Sequence, residues 1–171
     1  MRKLFYLLMI LLMVFSITAC TDTLEKEEYQ SDSTIEEGDK EEVFGIKETA
    51  VFDNLKITAL EVKESKGTDF FNPESGNVFV GINFEIENIS DEEENISSLL
   101  MFDAYANDIK CDYSISAACA FDEGTLDGSV LPGKKLVGWY ALEVPENWTD
   151  IELAVKSDWL SNTNAIFRFE K

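Results

Sequence analysis

The stretch Leu131-Pro-Gly-Lys-Lys-Leu-Val-Gly-Trp-Tyr-Ala-Leu-Glu-Val-Pro145 decides how the rest of the chain is read. Pro132-Gly133 is a turn signal, and Pro145 stops the run at its far end. Between them Leu136, Tyr140, Leu142 and Val144 share one face of a strand, with Gly138 leaving a gap. Val137, Trp139, Ala141 and Glu143 share the other face. Large residues on both faces predict a central strand with a partner on either side.

The same period of two recurs from Val43 onward. Phe44 to Phe52 reads as a first short strand, ended by Asp53-Asn54. Leu55 to Val62 reads as a second, and its alternation slips near Ala59-Leu60, which predicts a bulge or an edge position. After a polar loop from Lys63 to Asn77, Val78, Val80, Ile82, Phe84 and Ile86 alternate with Phe79, Gly81, Asn83, Glu85 and Glu87. That pattern predicts one buried face and one mostly wet one. An acidic connection, Asn88 to Ser98, leads to two strands, Leu99 to Ala106 and Ile109 to Ile115, around a hairpin turn at Asn107-Asp108. Ala117 to Val130 is irregular. Beyond the opening stretch come a turn at Glu146-Asn147, an alternating strand carrying Ile151, Leu153 and Val155, and a last strand from Ala165 to Glu170. No helical stripe competes. The pattern predicts an all-β fold, an antiparallel β-sandwich of about seven or eight strands over residues 43–171. Val80, Ile82, Phe84, Tyr140, Leu142 and Leu153 are its expected inward set.

The run Gly128-Ser129-Val130-Leu131-Pro132-Gly133-Lys134-Lys135, followed by Gly138-Trp139-Tyr140 and Glu143-Val144-Pro145-Glu146-Asn147-Trp148, has a wider likeness. With Val78-Phe79-Val80-Gly81-Ile82 and Glu87-Asn88, it resembles the bacterial domain of unknown function numbered 4352. The resemblance covers roughly residues 43–171. It implies an immunoglobulin-like sandwich similar to that of the secreted immunoprotective antigens of mycobacteria, on a lipoprotein or secreted protein of a Gram-positive bacterium. The matching residues are those of turns and core, so no catalytic residue carries over. Cys111 with Cys119, and the run Asp91 to Glu94, are less typical of the family.

Composition narrows the function. The chain has 171 residues and a formal charge of -20, from 14 Lys and Arg against 34 Asp and Glu. Such a balance opposes binding to nucleic acid through its phosphates. Histidine is absent, which removes the commonest general base and the commonest metal ligand together. At the N-terminus Arg2-Lys3 precede an apolar run from Leu4 that gives way to Ile17-Thr18-Ala19-Cys20. The run is shorter than the roughly 20 residues needed to span a bilayer. Ile17 to Cys20 looks like a bacterial lipobox, with Ile in place of the usual Leu. Residues 1–19 are therefore expected to be a lipoprotein signal peptide, and Cys20 the lipidated residue that holds the protein at the outer face of the cytoplasmic membrane. Residues 20–42 read as an acidic, disordered tether with a reach of roughly 25 Å.

Several residues remain as candidate sites. Cys111 and Cys119 read either as a disulfide or as two small packed thiols. Asp91, Glu92, Glu93 and Glu94 offer oxygen ligands to Ca²⁺ but lack the spacing of an EF-hand loop, and consecutive acids usually face water. Asp122, Glu123 and Asp127 form a second acidic loop of the same kind. Phe70 and Phe71 stand in the longest loop, where adjacent aromatics do not easily both bury, so one is a candidate contact. Trp139, Trp148 and Trp159 read as packing residues. Three functions follow. The favoured one is a lipid-anchored, extracytoplasmic, non-catalytic module that binds an unknown protein or cell-wall partner without a cofactor. The second is an accessory subunit of another envelope protein. The third is a carboxylate-dependent hydrolase, for which no acid pair stands out.

Overall fold

The computed structural model describes residues 42–121, 124–158, 160 and 164–171. Cys20, the tether up to residue 41, Asp122, Glu123 and Trp159 lie outside the described residues. Eleven strands form among those described: β1 (Val43–Phe44), β2 (Thr49–Val51), β3 (Leu55–Ser65), β4 (Asn77–Asn88), β5 (Glu94–Ile96), β6 (Phe102–Ala106), β7 (Ile109–Cys111), β8 (Gly128–Val130), β9 (Lys135–Pro145), β10 (Asp150–Lys156) and β11 (Asn164–Glu170). One short helix, α1 (Ile115–Ala118), joins them. One sheet runs β1-β11-β10-β6-β7 and the other β2-β3-β4-β9, with β5 and β8 paired separately. The count exceeds the seven or eight expected because five strands have only two or three residues.

The core lies between the two sheets, and the period-two pattern builds it. Register places Ile57 opposite Ile86 and Ala59 opposite Phe84. It also sets Ile82 opposite Tyr140 and Val80 opposite Leu142, so each pair shares the inner face. Phe102, Leu153 and Phe167 meet them from the other sheet. Phe84 sits amid a chain of rings, 5.6 Å from Phe102 and 5.3 Å edge-on from Phe167, while Phe102 stacks on Tyr140 at 4.9 Å. All six residues of the expected inward set are buried. The slip near Ala59 is a bulge: Ala59 pairs with Phe84 and Glu61 with the next residue, Asn83, leaving Leu60 over. The extra residue returns Val62 to the inner side, opposite Ile82.

Three expectations need correction. Phe44 to Phe52 is not one strand. Its first part, β1, joins β11 in parallel, and its second, β2, joins β3 in the other sheet, so the sandwich is not wholly antiparallel. The chain crosses over at Gly45 to Glu48, where Lys47 has φ 66° and the Gly45 N–H donates to Glu48 Oε2 at 2.6 Å.

The opening stretch is not central either. β4 occupies the middle, and β9 is the last strand of its ladder, followed only by single bridges from Tyr113 to Leu142 and from Thr125 to Trp139. Its two faces are both buried because residues 113–121 cover the outer one. There Phe79, Ala117 and Ala141 pack together with Phe121, and Phe121 stacks on Trp139 at 4.9 Å. This cover also corrects the third expectation, for Phe79, Gly81 and Asn83 on the outer face of β4 are buried, not wet. Gly81 and Gly138 let the cover approach. A Cβ on Gly81 would lie 2.8 Å from the Phe121 ring, and one on Gly138 would lie 2.7 Å from the Thr125 carbonyl oxygen.

Candidate functional site

The loop between β3 and β4 holds two aromatic side chains in water. Phe70 is 88% exposed and Phe71 41%. Its backbone is nevertheless well held. The Ser65 hydroxyl accepts from the Gly67 N–H at 3.1 Å, and the Thr68 N–H donates to the Phe71 carbonyl at 2.7 Å. The Thr68 hydroxyl oxygen takes the N–H groups of Phe70 and Phe71, at 3.3 and 3.1 Å. This is a local side-chain turn of the kind serine and threonine favour. Gly67 has φ 100°, and a Cβ there would sit 2.8 Å from the Asn72 Cα, so the turn requires glycine.

The far half of the loop is tied to β9. Glu143 Oε1 accepts from the Glu74 N–H at 2.7 Å and from Asn77 Nδ2 at 3.1 Å. The Glu146 N–H then donates to the Gly76 carbonyl at 2.9 Å. Below it, Glu64 Oε1 accepts from Trp148 Nε1 at 2.7 Å and pairs with Lys171 Nζ at 2.6 Å, while Lys171 also lies 5.2 Å above the Trp148 ring. The Lys171 ammonium, and next the Trp148 N–H, hold the Glu64 carboxyl below its usual value against the opposing effect of burial. A braced loop that presents exposed aromatics can dock on an apolar or aromatic surface.

The acidic loop is built differently. Asn88 is fully buried and donates from Nδ2 to the carbonyls of Glu92 and Val130, both at 2.7 Å. Its Oδ1 accepts from the Ser90 N–H and hydroxyl, at 2.8 and 2.9 Å. The loop thus turns around a satisfied polar hub, while Asp91, Glu92 and Glu93 are exposed and Glu94 is half-buried. Among the described residues, no three or more acids and thiols converge as a metal-holding group, Asp91 to Glu94 included. Asp127 is spent otherwise, accepting from the Ser98 N–H and hydroxyl at 2.9 Å each.

Cys111 and Cys119 are free thiols in this structure. Cys111 is half-buried in β7, where its Sγ donates to the Ile109 carbonyl at 3.3 Å and burial pushes its pKa up. Cys119 is exposed at the end of α1. Trp139 and Trp148 are buried packing residues, as read. Sequence reasoning missed the cover formed by residues 113–121. Its one local signal is Ser114, whose hydroxyl accepts from the Ala117 N–H at 3.1 Å and caps α1.

A family model described as Domain of unknown function (DUF4352) matches residues 44–166. No match is found among curated proteins. Among solved structures, a candidate lipoprotein of Bacillus subtilis, ycdA, superposes with a TM-score of 0.60 at 13% identity, over 71% of this chain and 38% of its own. The chain thus spans well under half the length of that protein. An uncharacterised β-sandwich protein of Clostridium difficile gives 0.54 at 21% identity, over 79% of this chain and 98% of its own. The secreted protein MPT63 of Mycobacterium tuberculosis gives 0.53 at 10% identity, over 75% and 96%. At these identities the likeness shows a shared β-sandwich fold.

Proposed function

The chain belongs to the family described as Domain of unknown function (DUF4352), and from that premise we propose that it is a lipid-anchored, extracytoplasmic module that binds a partner and catalyses nothing. The observation that carries this reading is Phe70, an aromatic left 88% exposed on a loop whose backbone is otherwise fixed. Phe71 beside it is 41% exposed, so two adjacent rings form a small apolar patch in water, and such a patch is the kind of surface a partner covers. The partner is a protein or cell-wall component with an apolar or aromatic-accepting surface. Solved relatives that include a candidate lipoprotein and a secreted protein support a place outside the cytoplasm. Among the described residues, no helix is long and apolar enough to cross a membrane. Cys20 behind Ile17-Thr18-Ala19 supplies the proposed anchor.

Crosslinking on intact cells followed by recovery of the protein tests the reading. Wild type should bring down a defined partner, and Phe70→Ser with Phe71→Ser should lose it. Turnover of a cell-wall substrate by the purified protein would contradict the non-catalytic claim. Feeding cells a labelled fatty acid should mark wild type and leave Cys20→Ala unmarked; an unlabelled wild type would end the anchor reading.

A further inference from the structure

The two edges of the four-stranded sheet are built differently. At one, β9 is met by single bridges from Tyr113 and Thr125. At the other, β2 pairs with β3 only from Lys56 to Thr58, and the Ala59 carbonyl then accepts the Lys47 N–H at 2.6 Å. Beyond the bulge, β4 occupies one side of β3 from Glu61 to Ser65. Among the described residues, no strand lies on its other side there. The backbone groups of that side are open to a further strand.

The side chains along this open edge carry a sign pattern. Glu61 and Lys63 stand opposite Asn83 and Gly81 of β4, on the outer face, one on either side of Val62. They pair with each other at 2.8 Å, and both stay half-exposed. Val62 turns inward and lines a groove of about 460 Å³ with Val43, Phe44, Ile46 and Phe169. Val43 is 45% exposed and Ile46 48%, so the groove has an apolar lining in contact with water.

From this edge we infer that β3 pairs with β3 of a second copy of the chain, antiparallel and centred on Val62. The sheet then continues from one molecule into the next. In that register Glu61 of each copy lies opposite Lys63 of the other, so each acid gains a second cation beside the one it already has. The contact uses the same surface twice and closes at two copies. Other registers are opposed. In-register parallel pairing, or an antiparallel shift that centres on Glu61 or on Lys63, sets like charges face to face. The two Val62 side chains meet beside the groove and cover part of its apolar lining. A bulge and charged residues commonly keep edges apart, but here the order of the charges selects one partner, the same edge of another copy. A formal charge of -20 opposes the meeting of two copies in general, which leaves a surface of matched charge as the place where they can join. The contact uses neither the Cys20 anchor nor the Phe70 loop.

Two differently tagged copies of the full chain, expressed together and recovered in detergent through one tag, test the pairing. Wild-type copies should recover each other. Glu61→Lys in both copies should lower recovery about tenfold, and Lys63→Glu in both should do the same, since each pairing holds the contact twice. A Glu61→Lys copy combined with a Lys63→Glu copy sets opposite charges face to face again, and recovery should return. A chain carrying both substitutions should pair with itself as wild type does. These rescues also show that the variants fold. Wild-type copies that do not recover each other, recovery unmoved by either single substitution, or a mixture that fails to restore it would overturn the inference; the last result would give the edge to a strand of another protein.

Discussion

The loops 66–76 and 89–93 are both polar connections in the sequence, and the fold builds them around opposite kinds of residue. In the acidic loop a polar side chain, Asn88, is buried and its bonds to Glu92, Val130 and Ser90 shape the turn, so the acids are free to face water. In the other loop the shaping group is the small hydroxyl of Thr68, and two phenylalanines are left outside. A buried polar group and a pair of adjacent exposed aromatic rings are each informative, the first because it needs partners inside the protein and the second because it forms an apolar patch in water. The first departure is structural and stabilises the fold. The second stabilises nothing visible in the chain itself, which is why it points to a partner.

The strongest way to break that comparison is to remove the hub. Asn88→Ala should cost about 3 kcal/mol in urea denaturation, since buried carbonyls and an N–H lose their partners. A cost near zero would mean the acidic loop holds itself. Thr68→Val should cost less, about 1 kcal/mol, and reduce partner recovery through the loosened turn. Next comes the bracing beneath the aromatic loop. Because the Glu64 pKa is lowered on folding, its contribution is full above the ordinary value of 4.5 and is lost as pH falls through the lower folded value. Glu64→Gln should therefore flatten the loss of stability at acid pH, by an amount within about 1 kcal/mol because the pair is largely solvated. An unchanged acid limb would show that the Lys171 contact is not formed in solution. Smallest of all, Phe70→Ser with Phe71→Ser should change stability by no more than about 0.5 kcal/mol. A large loss would assign the two rings to the core.

The inner face of the sandwich was legible because large apolar residues at period two leave little choice, and Val80, Ile82, Phe84, Tyr140, Leu142 and Leu153 all obey it. The position of β9 was not legible. Its outer face is covered by Ala117, Ala118 and Phe121, and alanines in a four-residue helix give no stripe to read. Gly81 and Gly138 were the available clue, as glycines inside strands mark a close approach by another part of the chain. Nor could a run of alternating residues reveal that β1 and β2 join different sheets. Phe70 and Phe71 stood out as neighbours that cannot share one buried face, but the hold that Glu143 has on their loop spans 69 residues of sequence.

The most direct test of the central claim compares the two loops on living cells. A photo-reactive residue placed at Phe70 in one variant and at Glu92 in another, both exposed positions, samples the surroundings of each loop equally. The account predicts a discrete adduct from position 70 and none above background from position 92. Adducts from position 92 alone, or none from either, would contradict it.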